Sequence, residues 1–483
     1  MDVLAEWQKR LNPKRRKDKA WSDKKVGKTP AKGGGELRTE IERDHDRILF
    51  STPVRRLADK TQVFPLERND SVRSRLIHSI EVSNLARSIG TTIAFSGEIE
   101  DHETLNIKRN IPAMLAAIGI AHDLGNPPFG HQGENAIRSW FEKHPDVLEH
   151  ADLTEAMKND FHFFEGNAQT LRLLTRLQLL NDDYGLNVTY GTLAALMKYT
   201  VPSNKIEQSH IASKKNGFFQ SEATIVEEIW RETGLGQGKR HPLTYIMEAC
   251  DDIAYSVLDA EDAVKKGLVS FSDLVAFLNH YGENDPVIRQ VCELSYAKHN
   301  DYRQESLSPG ELNDISMQMF RVYAIGAMMQ EAIQTFYREQ KPLLRGNYAH
   351  DLLEKSGAEK LRKLLKKFDR IHAYRHRAVL EIELTGYNVI SGLMDYLWMG
   401  IHDRVDYDDP KSDRNSPFTA YIYSRVSENY RRVFEKQSNM PMRYRELQLL
   451  TDMIAGMTDS YAITLLTELK KHDDRRQPYH GSQ

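Results

Sequence analysis

Beyond about residue 37, the apolar residues of this 483-residue chain recur at helical spacing, and strand-like alternation is scarce. A chain patterned in this way buries its apolar stripes by packing helix on helix. The expected fold is therefore mostly α, a helical core with additional packed helices, and the length allows a large one. No internal repeat and no Pro-rich linker divides the chain cleanly. Polar or Gly/Pro-rich loops are expected at 126–130, 208–216, 234–242, 282–286 and 406–417. The reading is one large body: a catalytic core over 37–300, with a C-terminal helical region over 301–483 packed on it and contributing to an oligomer or substrate site.

Polar residues interrupt three of the apolar faces. In the run 71–94, His78 shares a face with Val82, Leu85 and Ile89. In 111–123, His122 follows Ile111, Leu115 and Ile118 on one stripe, with Asp123 adjacent. In 243–264, Asp251, Tyr255 and Asp259 fall at i, i+4 and i+8 beside Met247 and Leu258. Singly, such residues are ordinary core histidines with satisfied hydrogen bonds, or carboxylates that cap a helix or pair with Arg. Together, two imidazoles and two carboxylates form a mixed N/O set suited to a divalent metal such as Mn²⁺, Fe²⁺, Zn²⁺ or Mg²⁺, and a buried carboxylate needs a cation or hydrogen bonds.

The segment HDLGNPPFGHQGE, residues 122–134, reads as a helix end, a tight turn and a new helix start. His131 and Glu134 lie three apart, so a helix starting there makes them neighbours. A carboxylate beside an imidazole stabilises its protonated form, a usual arrangement for acid–base chemistry. The alternative is a surface pair near a helix start, where Glu is favoured.

His78, His122-Asp123 and Asp251 resemble the H…HD…D signature of HD-domain phosphohydrolases. Six ordered blocks narrow the resemblance to the bacterial deoxyguanosinetriphosphate triphosphohydrolases. They are TQVFPLERNDSVRSRLIHSIEV (61–82), AHDLGNPPFGHQGE (121–134), FEGNAQT (164–170), MEACDDIAYSVLDAEDA (247–263), ELTGYNVISGL (383–393) and DMIAGMTDSYA (452–462). The similarity runs from about residue 37 to 465.

The resemblance implies His78, His122, Asp123 and Asp251 as metal ligands, chosen over the adjacent Asp252 on the family pattern and the helical period. It implies His131 and Glu134 as the catalytic pair. Gln62, Arg75, Lys198 and Tyr199 match positions near the sugar and triphosphate. Tyr255 and Asp259 match positions that hold the deoxyribose 3′-hydroxyl, and Tyr255 under the sugar would leave little room for a 2′-hydroxyl. Asn126 stands where some relatives have His, and Glu383 resembles a residue that reads guanine. The implied reaction is metal-dependent hydrolysis of a deoxynucleoside triphosphate, dGTP first, to deoxynucleoside and inorganic triphosphate. Mn²⁺ or Mg²⁺, with Fe²⁺ as a third option, is the implied cofactor. A homo-oligomer, a hexamer in particular, and binding of single-stranded DNA are also implied.

Charge and composition bound the remaining possibilities. The net charge is −3, and between Lys9 and Lys32 basic residues far outnumber Asp18 and Asp23. Residues 1–36 therefore read as a flexible basic arm, or as an arm that touches phosphates on a nucleotide or nucleic acid. The two cysteines, Cys250 and Cys292, form no CxxC pair, which points to a reducing cytoplasm. No secretory signal and no run near the roughly 18 apolar residues of a membrane span is found. No GxxxxGK[ST] loop occurs, which disfavours Walker-type NTP hydrolysis. Two competing functions remain: another HD phosphodiesterase or a guanosine tetraphosphate hydrolase, and a nucleic-acid-binding regulator with a vestigial HD site.

Overall fold

The computed structural model describes residues 2–18, 37–62, 73–99, 105–178 and 182–473. Among these, helices carry the structure and β pairing is confined to isolated bridges, so the mostly α expectation is borne out. The helices that build the site are α1 (Val3–Arg10), α2 (Glu40–Leu49), α3 (Arg75–Phe95), α4 (Ile107–Ala121), α5 (Gly130–Lys143), α6 (Gly166–Arg172), α7 (Pro242–Lys265), α8 (Pro309–Arg338), α9 (Glu359–His372), α10 (Arg377–His402) and α11 (Met442–Ala455). All five expected loops fall between helices. One contiguous apolar core runs from Trp7 to Leu469, with no break near residue 300. No described helix is long and apolar enough to cross a membrane.

The pairing of α3 with α4 is unusually close, and small residues explain it. A Cβ on Gly119 of α4 would stand 2.6 Å from the Ser83 Cα of α3, and one on Gly90 of α3 would stand 2.6 Å from a Leu115 methyl of α4. Ser83 then donates to the Ala116 carbonyl at 2.8 Å. This approach brings the two imidazoles together: His78 lies one turn before Ser83 and His122 directly caps α4, with ring centroids 5.6 Å apart. α7 packs against both α3 and α4, while α8 and α9 cover its far side.

The flexible-arm expectation for residues 1–36 is corrected for residues 2–18. Trp7 and Leu11 are buried in the common core. Arg10 is buried, donating to the Leu344 carbonyl at 2.8 Å and to the Thr233 carbonyl. Arg15 is buried against Asp44 at 2.7 Å and Glu40 at 2.9 Å on α2. The basic excess near the terminus is thus partly neutralised by carboxylates distant in sequence, where charge counting along the chain cannot see them. The rest of the predicted arm, and most of the run between Gln62 and Arg73, lies outside the described residues.

Candidate active site

The three polar interruptions converge. His78 Nε2 lies 3.2 Å from Asp251 Oδ1, and His122 Nε2 lies 3.5 Å from the same oxygen and 3.6 Å from Asp123 Oδ2. Ligand atoms of His78, His122 and Asp123 fall within 4.8 Å of one another. The neighbouring Asp252 turns away, engaged by Arg362 at 2.6 Å and Lys366 at 2.7 Å on α9. Geometry therefore separates the two adjacent carboxylates: Asp251 faces the imidazoles and Asp252 anchors α9.

These residues fit a divalent cation. His122 Nδ1 bonds the Gly119 carbonyl at 2.7 Å, which sets the tautomer and directs Nε2 inward, where it is buried without a hydrogen-bond partner. Burial lowers the His122 imidazole, but Asp123 and Asp251 outweigh it and lift it to about 9, so the pocket attracts positive charge at that atom. Against burial, Arg75 and both imidazoles hold Asp123 down to about 2, which keeps it anionic. Burial likewise works against ionisation of Asp251, yet His122, His78 and Lys198 hold it well below the carboxylate range.

A cleft of about 380 Å³ opens from this cluster. Its walls include His122, Asp123, Asp251, His131, Glu134, Arg75, Gln62, Asn126, Lys198, Tyr199, Tyr255 and Glu383, all singled out from sequence. Arg75 pairs with Asp123 Oδ2 at 2.5 Å, and Asn126 donates to Asp123 Oδ1 at 2.7 Å. Burial lowers the Lys198 ammonium, but Glu248 and Asp251, 3.6 and 3.7 Å away, raise it overall. Gln62 Oε1 is buried without a partner. Glu383, on α10, has its carboxyl pushed up by burial against a hydrogen bond from Gln132.

His131 and Glu134 stand near the start of α5, which begins after Phe129 at φ +60°. That bulky residue is held in the left-handed region by its N–H, which donates to Asp459 Oδ1 at 2.9 Å, and by its ring against Gly386 of α10. Glu134 is buried while His131 is 80% exposed, so this is not a surface pair. Glu134 Oε2 lies 3.3 Å from His131 Nδ1, and Oε1 accepts from the Gly166 N–H at 2.8 Å. The hydrogen bond that the imidazole donates to Glu134 raises His131 above its ordinary value.

One predicted substrate contact is not in the cleft wall. Asp259 is almost fully buried, and its carboxylate accepts the Tyr374 hydroxyl instead of facing the cavity. Tyr374 was missed in sequence. It stands 5.8 Å, ring to ring, from Tyr255 and lines the cleft. Lys215, at the end of an expected polar loop, was also missed; it lines the cleft and pairs with Glu165 at 2.9 Å. Neither stands in a periodic apolar run, so no local signal marked them.

Gly166 sets the spacing between the turn and the His131–Glu134 pair. A Cβ there would come 2.1 Å from Asn126 Oδ1 and 3.0 Å from Glu134 Oε1. Gly166→Ala is expected to displace both side chains and lower kcat by about 10–100-fold, as misplacement near 1 Å does. Steady-state kinetics beside a melting curve checks this; wild-type kcat with an unchanged melt would show that the spacing does not matter.

An HD domain family model matches residues 75–196, which include the His78 and His122-Asp123 part of the cluster. A protein of Listeria monocytogenes named deoxyguanosinetriphosphate triphosphohydrolase-like protein is 36% identical over 476 residues, covering 96% of this chain and 99% of its own. The deoxyguanosinetriphosphate triphosphohydrolases of Serratia proteamaculans and Yersinia enterocolitica are 33% and 32% identical, each over 88% of this chain and 92% and 93% of their own.

Proposed function

The chain belongs to the deoxyguanosinetriphosphate triphosphohydrolase family of HD-domain proteins, and on that footing we propose that it hydrolyses deoxynucleoside triphosphates, dGTP foremost, to deoxynucleoside and inorganic triphosphate. The observation that carries this reading is the convergence of the His78, His122, Asp123 and Asp251 cluster with the His131–Glu134 pair at one cleft that Arg75, Lys198 and Lys215 also line. His78, His122, Asp123 and Asp251 would hold one divalent ion, Mn²⁺ or Mg²⁺, with Fe²⁺ also suited to this donor set. Such an ion supplies Lewis acidity at the α-phosphate and helps to orient the attacking water.

The chain's own residues do the rest. Arg75, Lys198 and Lys215 bring positive charge to the triphosphate, since phosphoryl transfer depends chiefly on positioning and charge stabilisation. Water adds at the α-phosphorus and the bond to the 5′-oxygen breaks, so triphosphate leaves with the new oxygen. His131, whose protonated form the Glu134 carboxylate favours, donates its proton to the departing 5′-oxygen. Gln62, Asn126 and Tyr199 line the path of sugar and phosphates, and Glu383 faces the base. Tyr255 and Tyr374 wall the sugar, with Asp259 acting through the Tyr374 hydroxyl. Hexameric assembly and single-stranded DNA binding are proposed on the resemblance alone, and the burial of Arg10 and Arg15 removes two cations from any outward-facing basic arm.

The test is product analysis with purified protein, Mn²⁺ or Mg²⁺, and each deoxynucleoside triphosphate in turn. Deoxynucleoside plus intact triphosphate supports the reading; orthophosphate or a nucleoside monophosphate overturns it. The same assay checks the sugar wall. Tyr255→Ala is expected to narrow the dGTP-over-GTP preference by on the order of 10–100-fold, and an unaltered rejection of GTP would refute the steric role.

A further inference from the structure

Of the six sequence blocks, DMIAGMTDSYA (452–462) alone supplies no residue to the described cleft wall. It spans the end of α11 and the start of a further helix, α12 (Asp459–Lys471). Hydrogen bonds stitch this corner to residues 56–61, which lead into the cleft. Arg56 donates to the Gly456 carbonyl at 2.8 Å, Lys60 to the Ala455 carbonyl at 2.8 Å, and Ser460 to Asp59 at 2.9 Å. The Thr61 N–H donates to Asp459 Oδ2 at 2.9 Å. Asp459 and Lys60 are both buried, and each also reaches into the turn after Asp123. Asp459 Oδ2 accepts the Thr61 hydroxyl as well, while Oδ1 takes the Phe129 N–H at 2.9 Å. Lys60 Nζ donates to the Asn126 carbonyl at 2.6 Å.

Arg75 lies between these contacts. Its backbone N–H donates to the Lys60 carbonyl at 3.1 Å, and its Nε donates to the Thr61 carbonyl at 3.0 Å. Its Nη1 meets Asp123, and its Nη2 lies against Gly130, where a Cβ would stand 2.8 Å away. The guanidinium therefore occupies a slot between the Thr61 carbonyl and the turn 126–130. Asp459 ties down both sides of that slot, with one carboxylate oxygen for each. A planar guanidinium grips phosphate oxygens in few directions, so its aim matters as much as its charge. We propose that Asp459, seconded by Lys60, is a positioning residue for Arg75: by fixing Thr61 and Phe129 together, it aims the guanidinium at the triphosphate of the substrate. An Asn at this position has one acceptor oxygen and an amide nitrogen that cannot accept, so one backbone donor loses its partner. The start of α5 does not depend on Asp459 alone, because the Phe129 ring also seats against Gly386. The geometry stands without the proposed reaction; the kinetic consequence rests on it.

The test is a double-mutant cycle on dGTP turnover by the full chain: wild type, Asp459→Asn, Arg75→Ala and the double variant, each with a melting curve and a metal assay. Asp459→Asn is expected to lower kcat/KM by about 10–100-fold, chiefly through KM, with metal content at the wild-type level. In the Arg75→Ala background the same substitution should cost less than about 2-fold, because the group it aims is gone. The alkaline limb of the pH profile, assigned to His131 and Glu134, should stay in place. Losses that multiply in the double variant, or a limb that moves, place the action of Asp459 elsewhere and overturn the role; so does an unchanged kcat/KM. If Asp459→Asn does not fold, Thr61→Val carries the same cycle, since it removes only the hydroxyl. Its smaller loss should vanish in the Arg75→Ala background, and a loss that multiplies there overturns the role. If wild type hydrolyses no deoxynucleoside triphosphate, the proposed reaction falls, and a crystal structure of Asp459→Asn, or of Thr61→Val, decides the positioning. Arg75 displaced from the Thr61 carbonyl supports it, and Arg75 still held there and on Asp123 overturns it.

Discussion

Asp251→Ala is expected to abolish tight divalent-metal binding and to lower kcat/KM for dGTP by about 10³–10⁵-fold. Asp251 Oδ1 is the oxygen that both imidazoles approach, at 3.2 and 3.5 Å. Removing it takes a negative charge from a buried cluster and leaves the Nε2 atoms of His78 and His122 without the carboxylate that both approach. Asp251→Asn keeps the shape and loses the charge, so it should bind metal as poorly; this separates charge from packing. Asp252→Ala is the control. That carboxylate holds Arg362 and Lys366, so its loss should lower the melting temperature without releasing metal. Metal content by elemental analysis and turnover on the same samples decide the matter. An Asp251→Ala protein that keeps both would falsify the assignment.

His131→Ala is expected to lower kcat by about 10²–10⁴-fold while metal content stays at the wild-type level. The separation is possible because His131 lies outside the metal cluster and meets it only across the cleft. The pH profile carries the finer test. Glu134 raises the His131 imidazole, so the proton it donates is present below that raised value and lost as pH rises through it. The rate should therefore fall on the alkaline side. Glu134→Gln removes the carboxylate charge, lets the imidazole return toward its ordinary value, and should move the falling limb to lower pH. A limb that stays in place would remove Glu134 from control of the proton, and an unchanged kcat in His131→Ala would remove His131 from the chemistry.

The candidate metal cluster was legible because its residues break a strong local rule. His78, His122 and Asp251 stand on helix faces that otherwise read as core, and the family resemblance, supported by the helical period, selected Asp251 from the pair it forms with Asp252. Distance gave that choice its reason, since α9, more than 100 residues later in the chain, supplies the Arg362 and Lys366 that draw Asp252 away. The His131–Glu134 spacing was equally visible. What could not be read was that Glu134 is buried, because the Gly166 N–H that satisfies it belongs to another helix.

The basic terminus was misjudged for the same reason. Composition shows Arg10 and Arg15 in a cationic stretch, and a stretch of that kind is ordinarily solvated. Asp44, Glu40 and the Leu344 carbonyl turn them into buried partners, and nothing near them in the chain announces it. Tyr374 and Lys215 reach the cleft from segments with no apolar period, and Asp259 is withdrawn from it by the Tyr374 hydroxyl.

By itself, then, the sequence determined the helical class, the loops, and the residues that stand as candidate metal donors and candidate acid–base pair, because each rests on period, spacing or a motif within one stretch of chain. The tertiary structure decided which of the candidate carboxylates face the two imidazoles and which charges are buried in pairs. Those outcomes depend on the partner each group meets, and partners brought together by helix packing leave no trace in local periodicity.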